Sequence, residues 1–122
     1  MIYPETILKV ADNSGAKEVK CIKTIKSSKK SGAKPGGLVI VSVRKIKLSK
    51  SLKKGQVTKG VLIRGKKNVQ RKNGFSIKFN DNFLVIIDQK NVPLSTRILG
   101  PIYRELRSKD YPKLLTMAKV II

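Results

Sequence analysis

Gly60-Val61-Leu62-Ile63, Arg64-Gly65-Lys66-Lys67-Asn68-Val69-Gln70-Arg71-Lys72, Asn73-Gly74, Phe75-Ser76-Ile77-Lys78-Phe79, Asn80-Asp81-Asn82 and Phe83-Leu84-Val85-Ile86-Ile87 follow one another without a break. Two apolar, strand-like segments thus enclose a tract, 64–72, that carries five positive charges and no negative one. Phe75, Ile77 and Phe79 alternate with Ser76, Lys78 and Asn80, the period-two pattern of a strand with one buried face. On that pattern Phe75 and Phe79 are expected in the core. Asn73-Gly74 supplies the residues that accept positive φ in a tight turn. The expected object is a small β core from which a basic loop or ribbon projects, a shape suited to lying against a polyanion.

Charge dominates the rest of the chain. Its 122 residues hold 28 lysines and arginines against 7 aspartates and glutamates, a net charge of +21. That many like charges repel one another, so a polyanionic partner is the natural inference, nucleic acid first and an anionic membrane surface second. The length fits one domain, and 40% hydrophobic residues with only 5% aromatic describe an aliphatic core. No apolar run is long enough to span a bilayer, and 1–6 resembles neither a signal core nor a transit peptide. Cys21 is the single cysteine and forms no internal disulfide. It lies on the Val19/Ile25 face of an alternating stretch and reads as a buried small hydrophobe.

Working outward, 6–11 and 19–25 read as strands joined by the turn Asp12-Asn13-Ser14-Gly15, whose side chains close local hydrogen bonds. The loop 26–37 is basic and lacks apolar periodicity. Leu38-Val39-Ile40-Val41-Ser42-Val43 is apolar on both faces and predicts a central strand buried on two sides. Residues 47–55 are again basic and turn-rich. About five or six short strands closing as a small barrel is the economical arrangement. Beyond residue 96 the pattern changes. Gly100-Pro101 predicts the start of a helix with Ile102 and Leu106 on one face, and Asp110 with Pro112 predicts the start of a second. Leu114, Leu115 and Ala118 give the second an inward stripe.

The usual equipment of an enzyme is missing. The chain has no histidine, its seven acids are scattered, and no phosphate-cradling glycine motif or cysteine cluster is visible. Asp81 between Asn80 and Asn82 reads as a turn, because apolar residues follow where a cation loop would supply ligands. No catalysis, cofactor or metal is expected.

Three ordered blocks stand out along the chain. The first is Ala11-Asp12-Asn13-Ser14-Gly15-Ala16 with Cys21-Ile22. The second runs from Gly60-Val61-Leu62-Ile63 through Asn73-Gly74, Phe79 and Asn82 to Val85-Ile86. The third joins Thr96-Arg97-Ile98 and Gly100-Pro101 to Arg104-Glu105-Leu106-Arg107. In order and spacing these blocks resemble the family of large ribosomal subunit protein fourteen, and the resemblance covers the whole chain. It implies a mainly β fold, a closed five-stranded barrel with a projecting β ribbon in about 1–95 and short helices in about 96–122. It implies a structural protein of the large subunit that binds large-subunit rRNA, neighbours the third and nineteenth large-subunit proteins, and reaches small-subunit rRNA at intersubunit bridges. It also implies a docking point for a ribosome-silencing factor near Thr96 and Arg97. Gly37, Asn73, Phe83, Ser95 and Lys119-Val120 depart from the family pattern, Phe83 standing where a small residue is usual.

The cations expected on rRNA are Lys66, Lys67, Arg71 and Lys72 first, backed by Lys29, Lys30, Lys34, Lys53 and Lys54. Arg44, Arg64, Arg104 and Arg107 are better suited than lysine to a fixed bidentate grip on phosphate. The alternative function is a free single-strand nucleic-acid-binding barrel, which needs aromatic platforms that this chain largely lacks. A membrane-surface protein is disfavoured, since no long basic amphipathic helix is present. The 22 lysines against 6 arginines, with frequent isoleucine, fit an AT-rich genome. With no presequence, they favour the mitochondrial matrix over a plastid or the bacterial cytoplasm.

Overall fold

The computed structural model of the chain describes residues 2–25, 34–47, 52–90, 92–108 and 111–122, without the side chains of 107, 108 and 112. Strands β1 (Ile7–Val10), β2 (Ala16–Thr24), β3 (Leu38–Ile46), β4 (Val57–Arg64) and β7 (Phe83–Ile87) close into a barrel in the order β1-β2-β3-β4-β7. Between β4 and β7 the chain leaves the barrel. There β5 (Val69–Gln70) pairs antiparallel with β6 (Ser76–Ile77) as a separate two-stranded ribbon. The barrel is antiparallel except at its seam, where Lys9 and Val10 of β1 lie parallel to Phe83 and Leu84 of β7. Register shifts in β2 between Ala16 and Val19, and between Cys21 and Lys23, bend that long strand around the small barrel.

A barrel this narrow has room for side chains alone. Leu8, Val19, Cys21, Val39, Val41, Val43, Leu62, Leu84 and Ile86 fill it, joined by Ile2 and Leu52 from outside the strands. Gly60 is required by that packing. A Cβ there would stand 2.7 Å from Leu84 Cδ1, closer than real contacts allow, and a tight 3.3 Å from the Val85 carbonyl oxygen. The glycine of the opening signature therefore leaves the space that Leu84 occupies.

A second core lies outside the barrel. Val61, Ile63, Val85 and Ile87 point away from the interior and are covered by Ile98, Ile102, Leu106, Tyr111 and Leu114. The strands buried on both faces are thus β4 and β7, and not β3 as its run of apolar residues predicts. In β3, Val39, Val41 and Val43 are buried while Leu38, Ile40 and Ser42 are half-buried. The reason is placement: the C-terminal segment covers β4 and β7.

That segment also departs from its predicted form. The helix expected from Pro101 does not form, because Ile102 pairs with Ile121 in a parallel bridge. The Ile102 N–H donates to the Val120 carbonyl at 3.1 Å, and the Ile122 N–H to the Ile102 carbonyl at 2.9 Å. Only a 3-10 turn, Arg104–Ser108, follows. Helix α1, Pro112–Met117, begins with proline in its first turn as expected, and Tyr111 before it makes no side-chain cap bond. Asp110, the expected cap, lies outside the described residues. Leu114 is fully buried, and Leu115 and Ala118 pack partly against the same cluster.

Cys21 is buried as expected, and burial pushes its thiol up from 9.0 to about 11. The unfolded thiol therefore ionises from about pH 9 while the folded one keeps its proton. Stability from this group is constant below that pH and is lost as pH rises from about 9 to 11. Denaturation midpoints of the parent and Cys21→Val should run parallel below pH 9. Above it the parent should fall more steeply, its other titrating groups being common to both.

Candidate nucleic-acid interface

The ribbon stands on a fixed base. Gly65 follows β4, and its N–H donates to the Tyr103 hydroxyl at 3.2 Å while that hydroxyl donates to the Gly65 carbonyl at 3.3 Å. The same carbonyl accepts from the Phe79 N–H at 3.0 Å, and Asn82 Oδ1 accepts from the Lys66 N–H at 2.9 Å. Phe79 meets Tyr103 edge to face with ring centroids 5.1 Å apart. At the far end, Asn73 Oδ1 accepts from the Phe75 N–H at 3.1 Å and Gly74 takes φ +88° as expected, while Asn73, expected to share that conformation, keeps negative φ and acts through its side chain.

Along this ribbon the structure separates the basic residues into two kinds. Lys66, Lys67 and Lys72 are exposed and belong to none of the ion pairs among the described residues, which join Lys9 to Asp81, Lys45 to Glu18 and Arg71 to Glu105. Lys78, not singled out from the sequence, is exposed beside them. Arg71 is engaged: its Nε donates to Glu105 Oε1 at 2.9 Å, and its Nη2 to Glu105 Oε2 at 3.3 Å and to the Ile122 carbonyl. It ties the ribbon to the C-terminal segment.

Arg64 is likewise used internally. Its guanidinium lies 4.0 Å over the centre of the Phe83 ring and donates to the Leu99 carbonyl at 2.6 Å. Burial lowers its pKa. Phe83 is the face on which this arginine rests. Gly100 lies against the same guanidinium and takes φ +86°.

The remaining candidates fall into separate groups. Lys34 and Lys67 line one cleft at the foot of the ribbon. Arg44 is exposed near the end of β3, and Lys53 and Lys54 are exposed in a turn held to that strand by a Gly55 N–H bond to the Val43 carbonyl. Arg104 is exposed on the 3-10 turn. Lys29 and Lys30 lie outside the described residues, as does the Arg107 side chain. Sequence reading passed over Lys17 and Lys47, which with Lys9 line an open groove beside the Asp12 turn. Lysines alternating outward along strands were the available signal.

Phe75 corrects an expectation. It is 71% exposed, because β6 is only Ser76–Ile77 and lies outside the barrel, where no core covers that face.

Thr96 and Arg97 are exposed but held by the first sequence block. Asn13 Oδ1 accepts from the Thr96 N–H at 3.1 Å and the Arg97 N–H at 3.2 Å, and Asn13 Nδ2 donates to Thr96 Oγ1 at 3.1 Å. Its neighbour Asp12 is buried. Asp12 Oδ1 accepts from the Ser14 N–H at 3.1 Å and hydroxyl at 2.5 Å, and Oδ2 from the Ile86 N–H at 3.0 Å. The turn therefore joins β7 and the C-terminal segment, a long-range role its local pattern did not reveal.

No helix among the described residues is long and apolar enough to cross a membrane. A closed barrel with a cationic ribbon and a strapped C-terminal segment defines a small basic β-barrel protein. The family described as Ribosomal protein L14p/L23e matches residues 1–122, and the chain belongs to it. Its role is that of a structural protein of the large ribosomal subunit.

Proposed function

We propose that the chain binds large-subunit rRNA through the backbone phosphates, with Lys66, Lys67 and Lys72 as the leading contacts. One observation carries this reading: three exposed lysines, without acidic partners among the described residues, stand on a ribbon whose base is locked by hydrogen bonds. Phosphate contacts need charge and position and little fixed side-chain geometry, which suits lysine. Lys34, Arg44, Lys53, Lys54 and Arg104 extend the cationic surface. Arg64 and Arg71 contribute by holding the ribbon and the C-terminal segment in place. Phe75 adds one stacking face, short of the series of platforms that a free single-strand-binding barrel uses. Contacts to the third and nineteenth large-subunit proteins and to small-subunit rRNA at intersubunit bridges complete the proposal. Thr96 and Arg97 are offered to a silencing factor, and the mitochondrial matrix is the proposed compartment.

Cosedimentation tests the reading. The protein should travel with large ribosomal particles through moderate salt and remain in the supernatant with anionic vesicles. Pelleting with vesicles and not with particles would reverse the assignment.

A further inference from the structure

We propose that the cleft at the foot of the ribbon receives the base of one unpaired ribonucleotide, with Lys34 and Lys67 meeting its phosphates. The proposal rests on the rRNA reading above and adds a site to it. The cleft has a volume of about 250 Å³ and lies among Pro35, Leu62, Val69, Asn82 and Tyr103. That is below the range of about 300–1,000 Å³ typical of drug-sized ligands and suits a single planar ring system. Its walls are largely apolar, two lysines border it, and among the described residues none that lines it is acidic. An apolar slot with cations beside it matches a nucleotide, whose base is planar and whose backbone is anionic. Single-stranded RNA is recognised in this way, with bases splayed out and their edges read by hydrogen bonds.

The polar groups are suited to such a reading. The Tyr103 hydroxyl is occupied by both backbone groups of Gly65, so the phenol serves as floor. Asn82 Oδ1 is held by the Lys66 N–H, which fixes the amide and leaves its Nδ2 group as a donor. Asn68, exposed among the lining residues, supplies a second amide.

Gly65 provides the test. A Cβ at this position would meet Asn82 Oδ1 at 3.6 Å, Tyr103 Oη at 3.7 Å and Leu62 Cδ2 at 3.9 Å, all ordinary contacts. Gly65→Ala therefore narrows the cleft without displacing its walls. Adenosine and uridine 5′-monophosphate, with ribose 5-phosphate as the base-free control, are titrated into the full chain by amide NMR. At least one nucleotide should shift Gly65, Asn68 and Val69 saturably, more strongly than ribose 5-phosphate. Gly65→Ala should weaken it about tenfold, the scale of losing one base contact. If Gly65→Ala does not fold, Val69→Phe fills the cleft from its other side.

Equal shifts from ribose 5-phosphate, indifference to the plug, or no shift at all would each overturn the site. Stronger occupancy by a glutamate-rich peptide would overturn it in favour of a protein partner. Cosedimentation with large particles is unaffected by these outcomes, so failure of the cleft is distinguishable from failure of rRNA binding.

Discussion

Asp12→Ala should lower stability by about 3–5 kcal/mol, a loss in the range reserved for broken buried networks. The carboxylate is 6% exposed and accepts three hydrogen bonds, from the Ser14 N–H and hydroxyl and from the Ile86 N–H. Removing the acceptor costs about 1–3 kcal/mol for each of the two buried backbone N–H groups that lose it, with the Ser14 hydroxyl bond adding a smaller share. Ile86 lies in β7 and is fully buried, so water cannot readily replace the lost acceptor. For a domain with about 5–15 kcal/mol in total, thermal unfolding should move down by on the order of 10–20 °C. Asp12→Asn should fall between the two proteins, since an amide keeps one acceptor and presents a donor to the other site. Melting curves of the three proteins decide it. A shift of a degree or two for Asp12→Ala would show that the turn is only local.

The triple variant Lys66→Ala/Lys67→Ala/Lys72→Ala should lose about 100-fold in affinity for large-subunit rRNA near physiological salt, with its melting curve unchanged. Each lysine that neutralises a phosphate releases a counterion. Removing three should flatten the slope of log K against log salt by about 2–3. Arg71→Ala provides the contrast. Its guanidinium is bound to Glu105 and to the Ile122 carbonyl, so its removal should lower the melting temperature first and leave the salt slope near the parent value. Filter binding across a salt series separates the two effects. A triple variant with the parent slope would remove these lysines from the interface.

The barrel strands were legible because their apolar residues repeat with period two and their turns carry Asn, Asp and Gly. Gly74 could be read because positive φ leaves few alternatives, whereas the room that Gly60 leaves for Leu84 could not, the two being distant in sequence. What could not be read was covered by long-range contacts. The apolar run at Leu38 and the run at Phe83 look alike in sequence, yet only β7 lies under the C-terminal segment. Pro101 and Ile102 carry a helix-start pattern, but pairing with Ile121 holds them extended. Arg71 and Lys72 are indistinguishable by local charge. Glu105, distant in sequence, engages one and leaves the other free. Phe75 keeps the strand alternation of a core residue on a ribbon that has no core.

Lysine accessibility on the assembled particle tests the ribbon assignment most directly. An amine-reactive reagent is applied to the free protein, to intact large subunits and to subunits digested with ribonuclease, and modification is read by peptide mass spectrometry. Lys66, Lys67 and Lys72, all exposed in the chain alone, should react in the free protein, be protected in the subunit and react again after digestion. Equal reactivity in free protein and intact subunits would contradict the account, as would protection that survives removal of the RNA.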